Sequence, residues 1–463
     1  MRNRIAALAT ALFALATSAS TQPQPVDLIV RNGLVVTMDG ATRVLPNGAV
    51  AIRGNTIVAV GVSDRIAAAY IPNETLDAAG QIVMPGLINT HTHAPMVLYR
   101  GLADDLALME WLQKYIFPAE AKTVSREFVR AGTRLAALEM IQSGTTTYAD
   151  MYYFEEEIGR ETRKAGMRGV LGQTIIRFPV PDAKTPQEGL ARTEAFLKEF
   201  AEDELITPAI APHAMYTLDA ATLRAARAMA DRYRAPVIIH LAETADESKT
   251  SLKEHKMSPT RYLESLGFWG PRSLAAHAVW LDEADIQILQ KRNVGVSHNP
   301  ESNMKLSSGT AKVPAMRKAG IDVGLGTDGA ASNNDLDMFE AMRQAALLHK
   351  LVTGDPRAVP APVALAMATI EGARALQMDD RIGSLEAGKR ADMIFVSTTG
   401  ARQTPMYDPI SHLVYVARGG DVTTTIVNGR ILMRDRTVLS LDEQAVIREA
   451  KEFAGKVREA VGK

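Results

Sequence analysis

Six apolar runs in this chain each end on a histidine or an aspartate, and they follow one another at the spacing of a strand-helix repeat. Residues 85–90 lead into His91-Thr92-His93, residues 207–212 into His213 and residues 236–239 into His240. Residues 273–276 lead into His277, residues 294–297 into His298 and residues 321–327 into Asp328. Parallel strands need a crossover of a dozen or more residues, usually helical, and these intervals leave room for one. The expected class is α/β, a TIM (β/α)8 barrel, whose chemistry gathers at the C-terminal ends of its strands. A single strand-end histidine could be a core residue satisfied by a backbone hydrogen bond. That bland reading would have to hold separately at five strand ends.

His91 and His93 stand at i and i+2, which on a strand puts both imidazoles on one face, able to grip one metal ion. The chain has no cysteine, so disulfides and thiolate ligands are excluded and histidine and carboxylate remain as the ligand set. Lys plus Arg number 52 against 53 Asp plus Glu, which leaves no basic field to hold a nucleic-acid backbone. A small molecule is the expected partner, no Gly-rich phosphate loop is present, and a homo-oligomer is left open. With 463 residues, 46% of them hydrophobic, the chain is long enough for a full barrel and more.

What exceeds the barrel lies at both ends. Arg2 and Arg4, the apolar residues 5–16 and the small residues 17–20 read as a signal peptide over 1–20, implying a periplasmic or secreted protein with no membrane segment after its removal. Residues 26–33, 34–37, 48–52 and 57–61 read as short strands punctuated by Asn32-Gly33, Asn47-Gly48 and Gly54-Asn55. Residues 391–396 and 422–432 match them near the other terminus, and residues 443–461 keep helical spacing. Segments 25–82 and 383–463 are thus expected to pair into a small composite β-sandwich domain, the second carrying a terminal helix, around a barrel over 83–382.

The run Pro85-Gly86-Leu87-Ile88-Asn89-Thr90-His91-Thr92-His93 and the later His, His and Asp at strand ends resemble the amidohydrolase superfamily over nearly the whole chain. Arg100-Gly101-Leu102-Ala103-Asp104-Asp105-Leu106, His240-Leu241-Ala242-Glu243-Thr244, Ser297-His298-Asn299-Pro300-Glu301-Ser302-Asn303 and Gly326-Thr327-Asp328-Gly329 bring it nearest one branch. That branch holds methylthioadenosine and S-adenosylhomocysteine deaminases, with related chlorohydrolases and guanine or aminopyrimidine deaminases.

The resemblance implies one divalent metal, zinc or iron(II), on His91, His93, His240 and Asp328. A second metal bridged by a modified lysine is not expected, since no lysine stands at an equivalent strand end. The resemblance further makes Glu243 the group that moves a proton from water to a ring nitrogen, with His277 holding the attacking oxygen and Asp328 accepting a proton. It sets Glu120 against ribose hydroxyls and His213 against the purine, and places His298, Asn303 and Trp111 around the pocket. Arg177 alone stands where the branch carries arginines that reach the amino-acid tail of S-adenosylhomocysteine. The activity implied is hydrolytic deamination of an aminated purine nucleoside. Deamination or dehalogenation of another heterocycle, and a silent metal-binding protein, stay open beside it. The pair Glu243 and His277 favours an enzyme, because a purely structural metal needs neither.

Overall fold

A computed structural model describes residues 22–462; the leader expected over 1–20 lies outside the described residues. Eight strands, β1 (Leu87–Thr92), β2 (Thr145–Tyr152), β3 (Arg168–Ile175), β4 (Ile206–Pro212), β5 (Val237–Leu241), β6 (Ser273–His277), β7 (Gly295–His298) and β8 (Val323–Leu325), form one sheet in sequence order. Every neighbouring pair is parallel. The ring closes where the Asp328 amide donates to the His91 carbonyl at 2.9 Å and Thr90 Oγ1 donates to the Leu325 carbonyl at 2.9 Å. Strands covered on both faces read as unbroken apolar runs, which is why β5 to β8 are plain in the sequence. β2 is not: Thr145-Thr146-Thr147-Tyr148-Ala149-Asp150-Met151-Tyr152 is polar by type, yet all eight residues are buried.

Helices on the outside follow the strands and start and stop on local chemistry. The helix Arg126–Ser143, for example, opens with the Ser125 hydroxyl accepting from the Phe128 amide and ends at Gly144, whose φ of 88° is the left-handed conformation a C-terminal cap requires.

The two ends of the chain share a second sheet of nine strands. The strand Ile82–Pro85 joins them, pairing parallel to Gln24–Val36 and antiparallel to Met393–Val396. The composite β domain is therefore one continuous ladder, closed over a core to which both ends contribute, including Val30, Val50, Val83, Met393 and Ile426. Two turn signals behave differently from expectation. Asn32-Gly33 is a bulge inside Gln24–Val36, where the register to Val44–Arg53 shifts. Residues 422–432 are two strands, Val422–Val427 and Arg430–Arg434, because Asn428-Gly429 takes φ values of 52° and 77° and makes a hairpin. The terminal helix Glu443–Val461 leaves this sheet and packs on the barrel helix Arg126–Ser143, with Phe453 edge-on to Phe128 at 6.0 Å. No helix among the described residues is long and apolar enough to cross a membrane.

Candidate active site

The end of β1 is fixed by its neighbour. Buried Asp150 of β2 accepts from Thr92 Oγ1 at 2.6 Å and from the Ala94 amide at 2.6 Å, locking the backbone on either side of His93. The His93 Nδ1 then meets the Met151 carbonyl at 2.6 Å, and His240 Nδ1 meets the His213 carbonyl at 2.8 Å. A carbonyl can only accept, so both Nδ1 atoms carry the proton and both Nε2 atoms are left as free lone pairs facing inward.

His91 is fully buried and neither of its ring nitrogens has a hydrogen-bond partner among the described residues. A buried imidazole left in that condition costs free energy unless something else engages it. His91, His93 and His240 bring ligand atoms within 4.8 Å of one another, and so do His91, His277 and Asp328. Asp328 Oδ1 lies 3.3 Å from His93 Nε2 and 3.5 Å from His91 Nε2. Three imidazole nitrogens and one carboxylate converging on a point, with the outer nitrogens of two imidazoles already anchored, fit a zinc or iron(II) ion.

The carboxylate is aimed as carefully as the rings. Ser302 Oγ and Ser332 Oγ donate to Asp328 Oδ2 at 2.6 and 3.0 Å, and the Gly329 amide donates to Oδ1 at 2.8 Å. Asp328 and His277 both have positive φ, 63° and 70°, a strain typical of functional sites when held by the structure around them. Gly326 makes the approach possible: a Cβ there would fall 2.4 Å from Asn299 Oδ1 and 2.9 Å from the His91 amide nitrogen.

His277 is oriented from behind. Its Nδ1 lies 2.9 Å from Asn303 Oδ1 and 3.3 Å from Asn299 Nδ2, turning Nε2 toward Glu243 Oε2 at 3.9 Å and Asp328 Oδ2 at 4.0 Å. Glu243 is buried, which raises its carboxyl above the ordinary value, and its backbone is gripped in turn. Glu247 accepts from the Ala242 amide at 3.0 Å and the Glu243 amide at 2.9 Å.

His93, His240, Glu243, His277 and Asp328 form the floor of a cleft. Its walls include His213, whose burial pushes the imidazole down to about 3 and keeps it neutral, and Glu120, raised to about 7 by burial against the opposing hydrogen bond from Tyr152. The Tyr152 hydroxyl donates to Glu120 Oε1 at 2.7 Å. Trp111 lines the cleft as expected. Three other expected contacts do not. Asn303 stands behind His277 and acts through it. His298 is buried beneath the site with its Nε2 3.1 Å from His349 Nε2. Arg177 is exposed and outside the lining, because the chain after β3 turns its side chain to solvent.

The structure also adds groups that sequence reasoning passed over: Asp150 and Tyr152 from the polar strand β2, Tyr153 just beyond it, and Ser302 and Ser332 behind Asp328. Only Glu247 had a readable signal, the Thr244-x-x-Glu247 pattern of a helix start, in which Thr244 Oγ1 accepts from the Glu247 amide at 3.2 Å.

Residues 82–432 match the model of the amidohydrolase family. The chain is 48% identical over 432 residues to a 5-methylthioadenosine/S-adenosylhomocysteine deaminase of Syntrophobacter fumaroxidans, covering 93% of this chain and 98% of that one. It is 44% identical over 430 residues to a 5'-deoxyadenosine deaminase of Methanosarcina mazei, covering 92% and 98%. Among solved structures, a zinc-bound adenosine deaminase from Xanthomonas campestris superposes with a TM-score of 0.93 at 39% identity, covering 94% of this chain and all of that one.

Proposed function

This chain belongs to the amidohydrolase family, and from that premise we propose that it is a metal-dependent hydrolytic deaminase releasing ammonia from an aminated purine nucleoside. The observation that carries the reading is the convergence of two carboxylates on one imidazole beside the histidine cluster: Glu243 Oε2 and Asp328 Oδ2 lie 3.9 and 4.0 Å from His277 Nε2. The relatives named above, all deaminases of adenine nucleosides, support the substrate class. The three-imidazole, one-carboxylate donor set and the zinc of the Xanthomonas campestris relative support zinc as the ion.

His91, His93, His240 and Asp328 would hold a divalent cation, whose Lewis acidity would let water lose a proton near neutral pH. Glu243 receives that proton, which its buried position suits it to hold, and passes it to the ring nitrogen beside the aminated carbon. The ring carbon becomes electrophilic as its neighbouring nitrogen is protonated. His277, fixed by Asn303, presents Nε2 to the attacking oxygen and stabilises the charge that develops there. Asp328 accepts the second proton and hands it to the amino nitrogen, the carbon–nitrogen bond breaks and ammonia leaves, and the ring carbon keeps the oxygen as a carbonyl beside the protonated ring nitrogen. His213 contacts the purine as a neutral imidazole, and Glu120 accepts the ribose hydroxyls.

Ammonia release by zinc-loaded protein from methylthioadenosine, S-adenosylhomocysteine, adenosine, guanine and cytosine tests this, with Glu243→Gln beside it. Turnover of an adenine nucleoside should fall about 1,000-fold in the variant, the scale of a lost general acid-base group. Silence of the metal-loaded enzyme on every adenine nucleoside would sink the reading. The basic start and apolar residues 5–16 support export of this enzyme; N-terminal sequencing of protein recovered from the periplasm should find it beginning near residue 21.

A further inference from the structure

The name of the Syntrophobacter fumaroxidans relative covers two nucleosides that differ only beyond the 5' carbon. Methylthioadenosine carries a neutral methylthio group there, and S-adenosylhomocysteine a chain ending in an ammonium and a carboxylate. Resting on the deaminase reading above, we infer that this cleft selects nucleosides whose 5' substituent is short and uncharged, and that S-adenosylhomocysteine is a poor substrate.

The wall beside the ribose acceptor is hydrocarbon. Glu120 lies in a helical stretch, residues 108–123, that covers the cleft. Ile116 and Phe117 stand one turn before Glu120 and Leu112 two turns before it, and all of them line the cleft. A ribose held by Glu120 therefore presents its flank to these side chains. Phe117 is buttressed edge-on by Phe178 at 5.5 Å, which limits how far the wall can move aside. Trp111 brings the wall's one polar group, an indole N–H that is buried and has no hydrogen-bond partner among the described residues.

The charge pattern points the same way. Among the described residues no lysine or arginine lines the cleft, while the carboxylates of Glu120, Glu243 and Asp328 do. Lys114, on the same helical stretch, is on its outer side, 66% exposed and paired with Glu110 at 2.8 Å. An amino-acid carboxylate brought in here would lose water with no lysine or arginine to replace it. A thioether or a methyl group has the opposite preference: it is apolar, and sulfur packs well against aromatic rings such as Trp111 and Phe117.

The test is kcat/KM of the zinc-loaded full-length enzyme for 5'-deoxyadenosine, 5'-methylthioadenosine and S-adenosylhomocysteine, measured with the wild type and with Arg177→Ala. The first two should agree within about tenfold and exceed S-adenosylhomocysteine by about 100-fold or more, the discrimination expected when a charged group is refused a partner. Arg177→Ala should leave all three values within about twofold, as for a side chain outside the cleft. S-adenosylhomocysteine turned over within tenfold of methylthioadenosine would overturn the inference while leaving the deaminase standing, and a selective fall of that activity in Arg177→Ala would name the residue responsible. Failure of all three nucleosides would instead overturn the deaminase reading and the inference with it.

Discussion

At the scale of single residues, the site depends on groups that touch neither metal nor substrate. Asn303 is buried and offers its Oδ1 to His277 Nδ1 at 2.9 Å, so it fixes both the tautomer and the rotation of that ring. Asn303→Ala should lower kcat about 10- to 100-fold with zinc content unchanged, as typically follows loss of an orienting partner; turnover and metal content measured on one sample check it, and unchanged kcat would remove Asn303 from the machinery. Glu120 carries a pH prediction. Burial raises it to about 7 and the hydrogen bond from Tyr152 opposes the rise; a cation near His93 would oppose it further. A diol acceptor must be ionised to work well, so KM for a ribonucleoside should be flat at alkaline pH and climb as the pH falls below about 7. The stability linkage has the opposite sense. Because the folded value is raised above the unfolded one, the stability tied to this group is complete below the unfolded carboxylate pKa and is lost as the pH rises through about 7. Glu120→Gln should raise KM and flatten its pH profile.

At the scale of elements, the cover of the cleft is held by a small latch. Asp104, in the loop leading to the stretch 108–123, accepts from Lys305 Nζ at 2.5 Å, and Lys305 also donates to Asn334 Oδ1 at 2.6 Å. Asn334 Nδ2 reaches Asp104 Oδ1 at 3.3 Å, so the loops after β1, β7 and β8 are tied at one point. A partly exposed ion pair of this kind contributes about 1 kcal/mol or less. Lys305→Ala should therefore raise KM by up to about fivefold and leave kcat nearly unchanged; a large fall in kcat with constant KM would show that the latch acts on the chemistry instead. Such long-range ties are illegible in a sequence. What was legible is local: β5 to β8 announce themselves as apolar runs, and the histidines and Asp328 follow from where those runs stop. β2 was not, because burial among neighbours, and not residue type, makes Thr145–Tyr152 a barrel strand. Tyr152 and Asp150 were lost with it. Asn303 and His298, expected to line the pocket, stand behind it instead, since a residue's place just after a strand does not specify the direction its side chain takes.

At the scale of the whole molecule, the composite sheet and the barrel are joined by a buried charge. Arg168 opens β3, at the end of the barrel opposite the active site, and its side chain is fully buried. Its Nε lies 2.9 Å from Asp392 Oδ2, its second guanidinium nitrogen donates to the Glu204 carbonyl at 2.9 Å and the third to Asn428 Oδ1 at 3.2 Å. Asp392 also accepts from the Asn428 amide at 2.6 Å, so the cluster pins the Asn428-Gly429 hairpin of the C-terminal segment to a barrel strand. Breaking such a pair by removing one partner leaves an uncompensated buried charge and costs about 3–5 kcal/mol, whereas replacing both with apolar residues of similar size is often neutral. Arg168→Met should lower the apparent melting temperature markedly, and the double variant Arg168→Met with Asp392→Leu should recover much of the loss. Because the cluster lies at the far end of the barrel, kcat per folded, zinc-loaded molecule should be the same in all three proteins. A calorimetric trace of Arg168→Met with two separated transitions would mean that the pair couples the sheet to the barrel; a single transition moved to lower temperature would mean that other contacts keep the two folding as one unit.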